Sequence, residues 1–276
     1  MKKIFLLFVA FFAFCSFFQE AFAVEKKLIQ FNNPELLGLI SIGEEGAAWI
    51  TASGTEWLVT PGFRLDTNLR VTAVKPEGVI IYSDPPGSYI SLDADPSKEY
   101  GDKHHTSFIW CQPIEGWKVV RMLAMVYRKD FIAGTQFEEL FSPKGHFFNM
   151  EELNKICFSN KARIQEKNNI FFALPQSEKK ESFSKKEFGS ILRDPILEKY
   201  PKVRNKFSLI ANGKELNKIL KEISRRTGIP INFESTKSIK IYCSLKDRSF
   251  IEIIDFLTTF FNFDTQFLNS GLRIFQ

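Results

Sequence analysis

The sequence predicts a multidomain fold of the β plus α+β class: a small N-terminal β-barrel or sandwich, a small α/β middle segment and a C-terminal β-α-β-β-α-β-β domain. Three observations predict it. Short runs of Val, Ile, Trp and Tyr alternate with turn residues up to about residue 92. A charged tract precedes residues 207–276. Within those residues, apolar positions recur first at the helical period and then at the strand period.

The first 23 residues have the pattern of a secretory signal. Met1-Lys2-Lys3 is cationic, residues 4–18 are apolar, and Ala21-Phe22-Ala23 has the small-x-small pattern of a cleavage site. The apolar run is shorter than the roughly 20 residues that span a bilayer. We therefore expect cleavage after Ala23, export to the periplasm, and no integral membrane span in the mature chain.

Residues 28–92 are expected to form the small β-barrel or sandwich. Turn-forming residues lie between the apolar runs, for example at Ser53-Gly54 and Pro61-Gly62. Closing five short strands into a barrel or sandwich removes exposed sheet edges. The predicted strands span residues 37–42, 47–51, 55–59, 70–74 and 79–82.

Short motifs on these strands resemble a known family. Their order resembles the homology-region domain of the inner-membrane periplasmic linker protein of type II secretion, and the related pilus-assembly lipoproteins of type IV pili. The resemblance implies a role in assembling an envelope machine. The motifs are Leu37-Gly38-Leu39-Ile40, Ala47-Ala48-Trp49-Ile50, Leu58-Val59-Thr60-Pro61-Gly62, Val71-Thr72-Ala73-Val74 and Val79-Ile80-Ile81.

The sequence pattern of the middle segment, residues 119–175, predicts a β-α-α-β order. We expect a strand over residues 125–128, helices over residues 135–141 and 149–158, and a strand over residues 170–174. Asn149 is a good N-cap, and the acidic residues that follow it suit the helix dipole.

This β-α-α-β order is similar to a LysM module. The residues that carry the similarity are Gly134-Thr135, Glu151-Glu152-Leu153-Asn154, Ile164 and the closing strand before Pro175. LysM modules bind N-acetylglucosamine glycans, notably peptidoglycan. The resemblance implies glycan contacts at Gly134, Thr135, Arg163 and Ile164. The residues themselves leave open a linker domain with a purely structural role.

Residues 176–206 are predicted to be a charged linker. They contain nine basic and five acidic residues and two prolines. Such a tract is typical of a solvated tether.

The C-terminal domain, residues 207–276, has the clearest local signals. Leu216, Ile219, Leu220 and Ile223 form one apolar stripe of a helix. Residues 207–211 read as a strand that Asn212 or Gly213 ends, and Gly228 stops the helix. An alternating strand follows over residues 239–245, and Ser249 with Glu252 predicts a capping box before a second helix. The expected last element is a hairpin around Asn269-Ser270-Gly271.

This order resembles the STN domain, the short N-terminal domain of secretins and TonB-dependent receptors. The markers are Leu216 to Leu220, Thr227-Gly228-Ile229-Pro230-Ile231, and Ser249 to Leu257. In those families the domain is periplasmic and makes protein–protein contacts, either in stacked rings or with signalling partners.

Few residues suggest catalysis or metal binding. The sequence has no GxxxxGKS/T, HExxH, GxSxG or EF-hand pattern. His104 and His105, with Asp102 and Cys111 nearby, are adjacent on one loop and seldom converge on a metal in that arrangement. We therefore expect no enzyme activity, no catalytic residue, no cofactor and no metal site. The net charge of +5, without a basic stripe, argues against a nucleic-acid partner.

Three cysteines would remain in the mature chain. Cys243 lies on the apolar side of its alternating strand and is expected to be a core residue. The sequence leaves open whether Cys111 and Cys157 form a disulfide.

Together, the resemblances predict a non-enzymatic periplasmic accessory protein. We expect it to contact a secretin or other envelope-assembly proteins in a secretin-based outer-membrane assembly, of type II secretion or type IV pilus-like kind. Because the sequence ends at Gln276, directly after the last predicted strand, we expect an accessory protein rather than the channel. Two alternatives stay open: a TonB-linked or anti-sigma signalling domain, and a peptidoglycan-binding anchor built on the middle segment.

Overall fold

A computed structural model describes residues 33–84, 87–94, 107–159, 161–176, 200–235 and 238–275. Strands hold 51% of these residues and helices 25%, so the prediction of a β-rich fold is confirmed. The predicted signal peptide, the His104-His105 loop and residues 177–199 of the predicted linker lie outside the described residues.

The elements before the charged tract are mostly short strands, with two α-helices. In chain order they are β1 (Glu35–Ile42), β2 (Glu45–Ala52), β3 (Thr55–Val59), β4 (Leu69–Lys75), β5 (Gly78–Ser83), β6 (Ser88–Asp93), β7 (Ser107–Cys111), β8 (Ile114–Glu115), α1 (Gly116–Val126), β9 (Asp130–Gly134), β10 (Leu140–Phe141), β11 (Lys144–His146), α2 (Met150–Phe158), β12 (Ala162–Lys167) and β13 (Ile170–Pro175).

The elements after the charged tract have the predicted β-α-β-β-α-β-β order. They are β14 (Lys206–Glu215), α3 (Leu216–Thr227), β15 (Ile231–Glu234), β16 (Lys240–Ser249), α4 (Phe250–Phe261), β17 (Asp264–Leu268) and β18 (Gly271–Phe275).

Two sheets pack face to face in the N-terminal part. The N-terminal sheet has the order β11-β7-β1-β2-β3, and the outer sheet has the order β4-β5-β6. Buried aliphatic side chains, including Leu39, Ile50 and Val79, fill the space between them. The five predicted strands are present as β1 to β5, whereas β6, β7 and β11 were not predicted.

Helix α1 lies where a strand was predicted. The predicted strand over residues 125–128 is wrong, because Met125 and Val126 form the last turn of α1. This helix packs between the N-terminal sheet and the central sheet described below, so nearly all of its side chains are buried, including Trp117 and Leu123. The helix has only two charged residues, Lys118 and Arg121, and Lys118 is buried, so the polar face that would reveal a helical period is narrow.

Of the two helices predicted in the middle segment, one is confirmed. The Asn149 side chain accepts a hydrogen bond from the Glu152 backbone N–H at 2.9 Å and caps α2 as expected. The predicted helix over residues 135–141 is wrong beyond its first turn. A 3-10 turn at Thr135–Glu138 gives way to β10, which pairs with β8.

The central sheet joins the middle segment to the C-terminal unit. Its order is β12-β13-β9-β16-β14. β9 pairs with β16 in antiparallel register, with Ala133 opposite Tyr242. Residues that were predicted to lie in separate domains therefore share one hydrogen-bonded sheet.

Helices cover both faces of the central sheet. On one face, α1 and α2 share a core with Phe131 and Phe171. On the other face, α3 and α4 share a single core with Phe172, and the C-terminal sheet (order β15-β18-β17) closes this core. Alternate residues of β9 and β13 thus enter different cores, which explains why these strands read as continuous apolar runs.

Local signals in the C-terminal unit are largely confirmed. The Ser249–Glu252 capping box is present at the start of α4, and Gly228 ends α3 in the left-handed conformation. The predicted end of the first strand at Asn212 or Gly213 is wrong, because β14 continues to Glu215. A bulge at Gly213, with a φ of +70°, lets the strand bend without ending.

Among the described residues, no helix is both long and apolar enough to cross a bilayer.

Candidate binding groove

A groove of about 530 Å³ lies along the free edge of the central sheet. Residues 162–166 of β12 form its floor, and Met150, Glu151, Asn154 and Lys155 of α2 form one wall. Because consecutive residues of β12 line the groove, it follows the edge of the strand rather than one face of the sheet.

Asn154 closes part of this edge. In an antiparallel pair the backbone groups of alternate residues point away from the partner strand, and those of Ile164 point away from β13. The Ile164 N–H donates to Asn154 Oδ1 at 2.6 Å, and Asn154 Nδ2 donates to the Ile164 carbonyl at 3.1 Å. The Asn154 amide therefore occupies the position of a peptide group in a further strand and opposes strand addition here.

Two half-buried side chains in the groove carry buried polar atoms with unmet hydrogen-bonding capacity. Arg163 Nε and Nη2 and Gln165 Oε1 are buried and have no hydrogen-bond partner. Buried polar groups are bonded in the great majority of cases, so such orphans call for an explanation. Two donors beside one acceptor match a ligand that carries a carboxylate or carbonyl next to a hydroxyl or amide N–H.

The structure brings together two of the four predicted glycan contacts. Arg163 and Ile164 both line the groove. Ala133, which precedes Gly134, pairs with Ala173, and Ala173 pairs with Ile164. Gly134 and Thr135 therefore lie about two strand spacings, roughly 10 Å, from the groove floor. Gly134 instead pairs with Ile241 of β16 and helps to hold the central sheet together.

The charges at the rim of the groove are mutually compensated. Lys155 Nζ lies 3.2 Å from Glu151 Oε1, and Lys129 Nζ lies 2.8 Å from Glu166 Oε1. Among the described residues that line the groove there is no cysteine, serine or histidine. The described lining residues offer hydrogen-bonding groups to a polar ligand.

The three described cysteines are buried free thiols, so Cys111 and Cys157 are not joined in the structure. Burial raises the pKa of each thiol, and at pH 7 all three stay protonated and poorly nucleophilic. Across the described ranges, no group of three or more His, Cys, Asp or Glu side chains is arranged to hold a metal ion.

An aromatic cluster links the three segments of the chain. Trp117 of α1 stacks on Tyr242 of β16 with ring centroids 4.8 Å apart, and its edge meets Trp49 of β2 at 5.8 Å. Trp49 Nε1 also donates to the Lys118 carbonyl at 3.0 Å. Trp117 thus contacts both the N-terminal sheet and the C-terminal unit, and Lys118 adds a second contact with the N-terminal sheet.

A buried lysine supports this cluster. Lys118 is 6% exposed, and its Nζ lies 2.6 Å from Glu56 and 2.9 Å from Glu115. Burial acts to lower the pKa of the ammonium, but the hydrogen bonds to the two carboxylates outweigh burial and raise it. The lysine therefore stays charged and ties β3 to the start of α1.

Polar contacts also fasten the C-terminal unit. The Tyr242 hydroxyl donates to Glu138 Oε1 at 2.7 Å, which lowers the pKa of that carboxyl, and Lys240 Nζ lies 3.1 Å from the same oxygen. Asp130, 5% exposed, accepts from Arg248 Nε at 2.8 Å and from the Lys246 backbone N–H at 3.0 Å. The Asp130 contact joins β9 to the end of β16, and the Glu138 contact joins the turn after β9 to the start of β16.

The Asn154 contact in the groove and the aromatic cluster were not predicted from the sequence, for the same reason. Asn154 and Ile164 are close in the chain, but only the pairing of β12 with β13 leaves the backbone N–H and carbonyl of Ile164 pointing away from the sheet. Trp117 and Tyr242 are far apart in the sequence, and no periodicity relates them. Comparison of the chain with protein-family models, with curated proteins and with solved structures finds no match.

Proposed function

We propose that this protein is a non-enzymatic periplasmic accessory protein that makes protein–protein contacts in a secretin-based outer-membrane assembly, of type II secretion or type IV pilus-like kind. The export pattern of residues 1–23 and the two sequence resemblances support the proposal. The observation that carries it is the central sheet, which bonds the C-terminal unit to the middle segment through β9 and β16. A continuous sheet suits a protein that holds partners at a fixed spacing.

The free edge of β14 is the proposed docking element. An edge strand presents unpaired N–H and C=O groups to which a partner strand can add. Residues 209–212 of β14 are in regular register with β16, and Ile210 in this stretch is 59% exposed. The opposite edge, at β12, is closed by Asn154 at Ile164. A partner strand therefore has a longer open template at β14 than at β12.

The test is in-cell crosslinking from this edge. A photoreactive residue at position 210 should capture a secretin or a pilus-alignment protein. In a separate co-purification without the photoreactive residue, Ile210→Lys should reduce recovery of that partner by at least about tenfold, because a charge on the edge opposes strand pairing. Ile210 is exposed, so the variant should keep the unfolding midpoint of the wild type. Leu268→Lys, at a 38% exposed apolar position of the C-terminal sheet, is the matched control.

Capture of soluble enzymes alone from position 210 would contradict the proposal. If Leu268→Lys reduces recovery of the partner as much as Ile210→Lys does, the contact does not lie at β14.

A second candidate function, favoured by the orphan atoms of Arg163 and Gln165, is peptidoglycan binding in the groove. Arg163→Gln should lower the amount of full-length protein that sediments with purified peptidoglycan by about tenfold, since a charge-assisted hydrogen bond is lost. Lys161→Gln, which removes an exposed charge paired with Glu139 near the groove, is the control. The full chain is needed because β9 is bonded to β16. Sedimentation that Arg163→Gln leaves unchanged would end this candidate.

A further inference from the structure

A row of four side chains crosses the outer sheet. Tyr89 of β6 lies opposite Tyr82 of β5, and Tyr82 lies opposite Arg70 of β4. An isolated antiparallel bridge then pairs Arg70 with Arg64 of the preceding loop. Directly opposed residues project from the same face, so these four side chains form one line of about 14 Å, or three strand spacings.

The two arginines are an unfavourable pair for folding. The Val71 N–H donates to the Phe63 carbonyl and the Leu65 N–H to the Leu69 carbonyl, both at 2.9 Å. These bonds flank the Arg64–Arg70 pair, which is therefore of the closer, non-hydrogen-bonded kind with Cα atoms about 4.5 Å apart. Like charges directly opposite each other destabilise a sheet. Within the described part of the chain, no carboxylate forms an ion pair with Arg64 or Arg70.

The other half of the row consists of two tyrosine rings that contact each other. Their ring centroids are 5.3 Å apart with planes tilted by 55°, and Tyr89 is 69% exposed. Folding does not require these side chains, because the opposite face of the same strands supplies the core through Val71, Ile81 and Leu92. Two cations, the exposed ring of Tyr89 and the half-buried ring of Tyr82 share one sheet face and therefore point to a ligand.

The row lines a groove of about 400 Å³ that also contains Asp66 and Asp84. Asp66 Oδ1 accepts from the backbone N–H groups of Asn68 and Leu69 and so fixes the loop beside Arg64 and Arg70. Two carboxylates beside two guanidinium groups give the groove no net charge. A dense polyanion gains little from such a surface, whereas a molecule with scattered oxyanions and many hydroxyl donors satisfies both kinds of group.

We propose that this row binds an acidic glycan, a saccharide chain that carries carboxylate or phosphate groups. The oxyanion bridges Arg64 and Arg70, which removes their repulsion and forms charge-assisted hydrogen bonds. A neighbouring sugar ring lies against Tyr82 and Tyr89, with its hydroxyls donating to Asp66 or Asp84. This site lies on the outer sheet, away from both the groove at β12 and the free edge of β14, and does not depend on the function proposed above.

The test is calorimetric titration of the full-length exported chain with four probes. These are a trimer of galacturonic acid, glucose 1-phosphate, a neutral N-acetylglucosamine trimer and a short single-stranded oligonucleotide. We expect the wild type to bind an acidic saccharide at least about tenfold more tightly than the neutral trimer, with the affinity falling as salt rises. Whether the uronic acid or the sugar phosphate binds more tightly identifies the oxyanion.

Two variants and a control separate binding from folding. The double variant Arg64→Gln with Arg70→Gln should weaken acidic-saccharide binding by about 100-fold, and Tyr89→Ala by about fivefold. Lys75→Gln, an exposed charge on the same strand, should leave binding unchanged. The arginine variant should melt at the same temperature as the wild type or higher, because it removes a like-charge pair.

Any of three results would overturn the proposal. These are equal affinity for acidic and neutral trimers, tighter binding of the oligonucleotide than of either acidic saccharide, and an arginine variant that loses stability while binding is unchanged.

Discussion

Arg248→Ala is expected to destabilise the protein by about 3–5 kcal/mol, because it leaves Asp130 charged and unpaired in the interior. Asp130 is 5% exposed and accepts from two nitrogens of Arg248, each at 2.8 Å. Only the Lys246 backbone N–H remains to solvate the carboxylate after the substitution. Since Asp130 begins β9 and Arg248 lies near the end of β16, the loss acts on the pairing of the two segments. Chemical denaturation measures the change in the free energy of unfolding.

Arg128→Ala is the matched control for this prediction. Its guanidinium lies 2.8 Å from Glu45, but its side chain is 80% exposed, and exposed ion pairs contribute about 0–1 kcal/mol. Combining Arg248→Ala with Asp130→Asn should recover part of the lost stability, because the buried negative charge is gone. If Arg248→Ala costs no more than Arg128→Ala, Asp130 is not buried in the native state.

Trp117→Ala is expected to cost about 3–5 kcal/mol, the usual range for removing a buried tryptophan. The substitution deletes the stack on Tyr242 and the edge contact with Trp49, and it removes a ring that lies 5.7 Å from Lys118 Nζ. Because these partners belong to different segments, we expect the variant to unfold in a broader or split transition than the wild type. Differential scanning calorimetry with near-UV circular dichroism measures both effects.

The control for Trp117→Ala is Phe148→Ala. Phe148 is 71% exposed, and its truncation should change the free energy of unfolding by less than about 0.5 kcal/mol. A Trp117 variant that unfolds like the Phe148 variant would mean that α1 does not join the N-terminal sheet to the C-terminal unit.

The functional surfaces were less predictable than the elements that carry them. Of the four predicted glycan contacts, Arg163 and Ile164 line one groove, whereas Gly134 and Thr135 lie two strands away. The Arg64–Tyr89 row was not anticipated, because its members alternate with core residues of three strands and one loop. Only the register of those strands sets the four side chains in line.

The sequence by itself determined the elements whose signals are local. Asn149 caps α2, Ser249 and Glu252 cap α4, and Gly228 ends α3, since capping depends on atoms only a few residues apart. The tertiary structure decided what depends on distant partners. It made residues 116–126 a helix buried between two sheets, and it bonded β9 to β16 across the predicted domain boundary. A local pattern records which residues prefer burial, but strand pairing and helix placement follow from contacts between residues far apart in the chain.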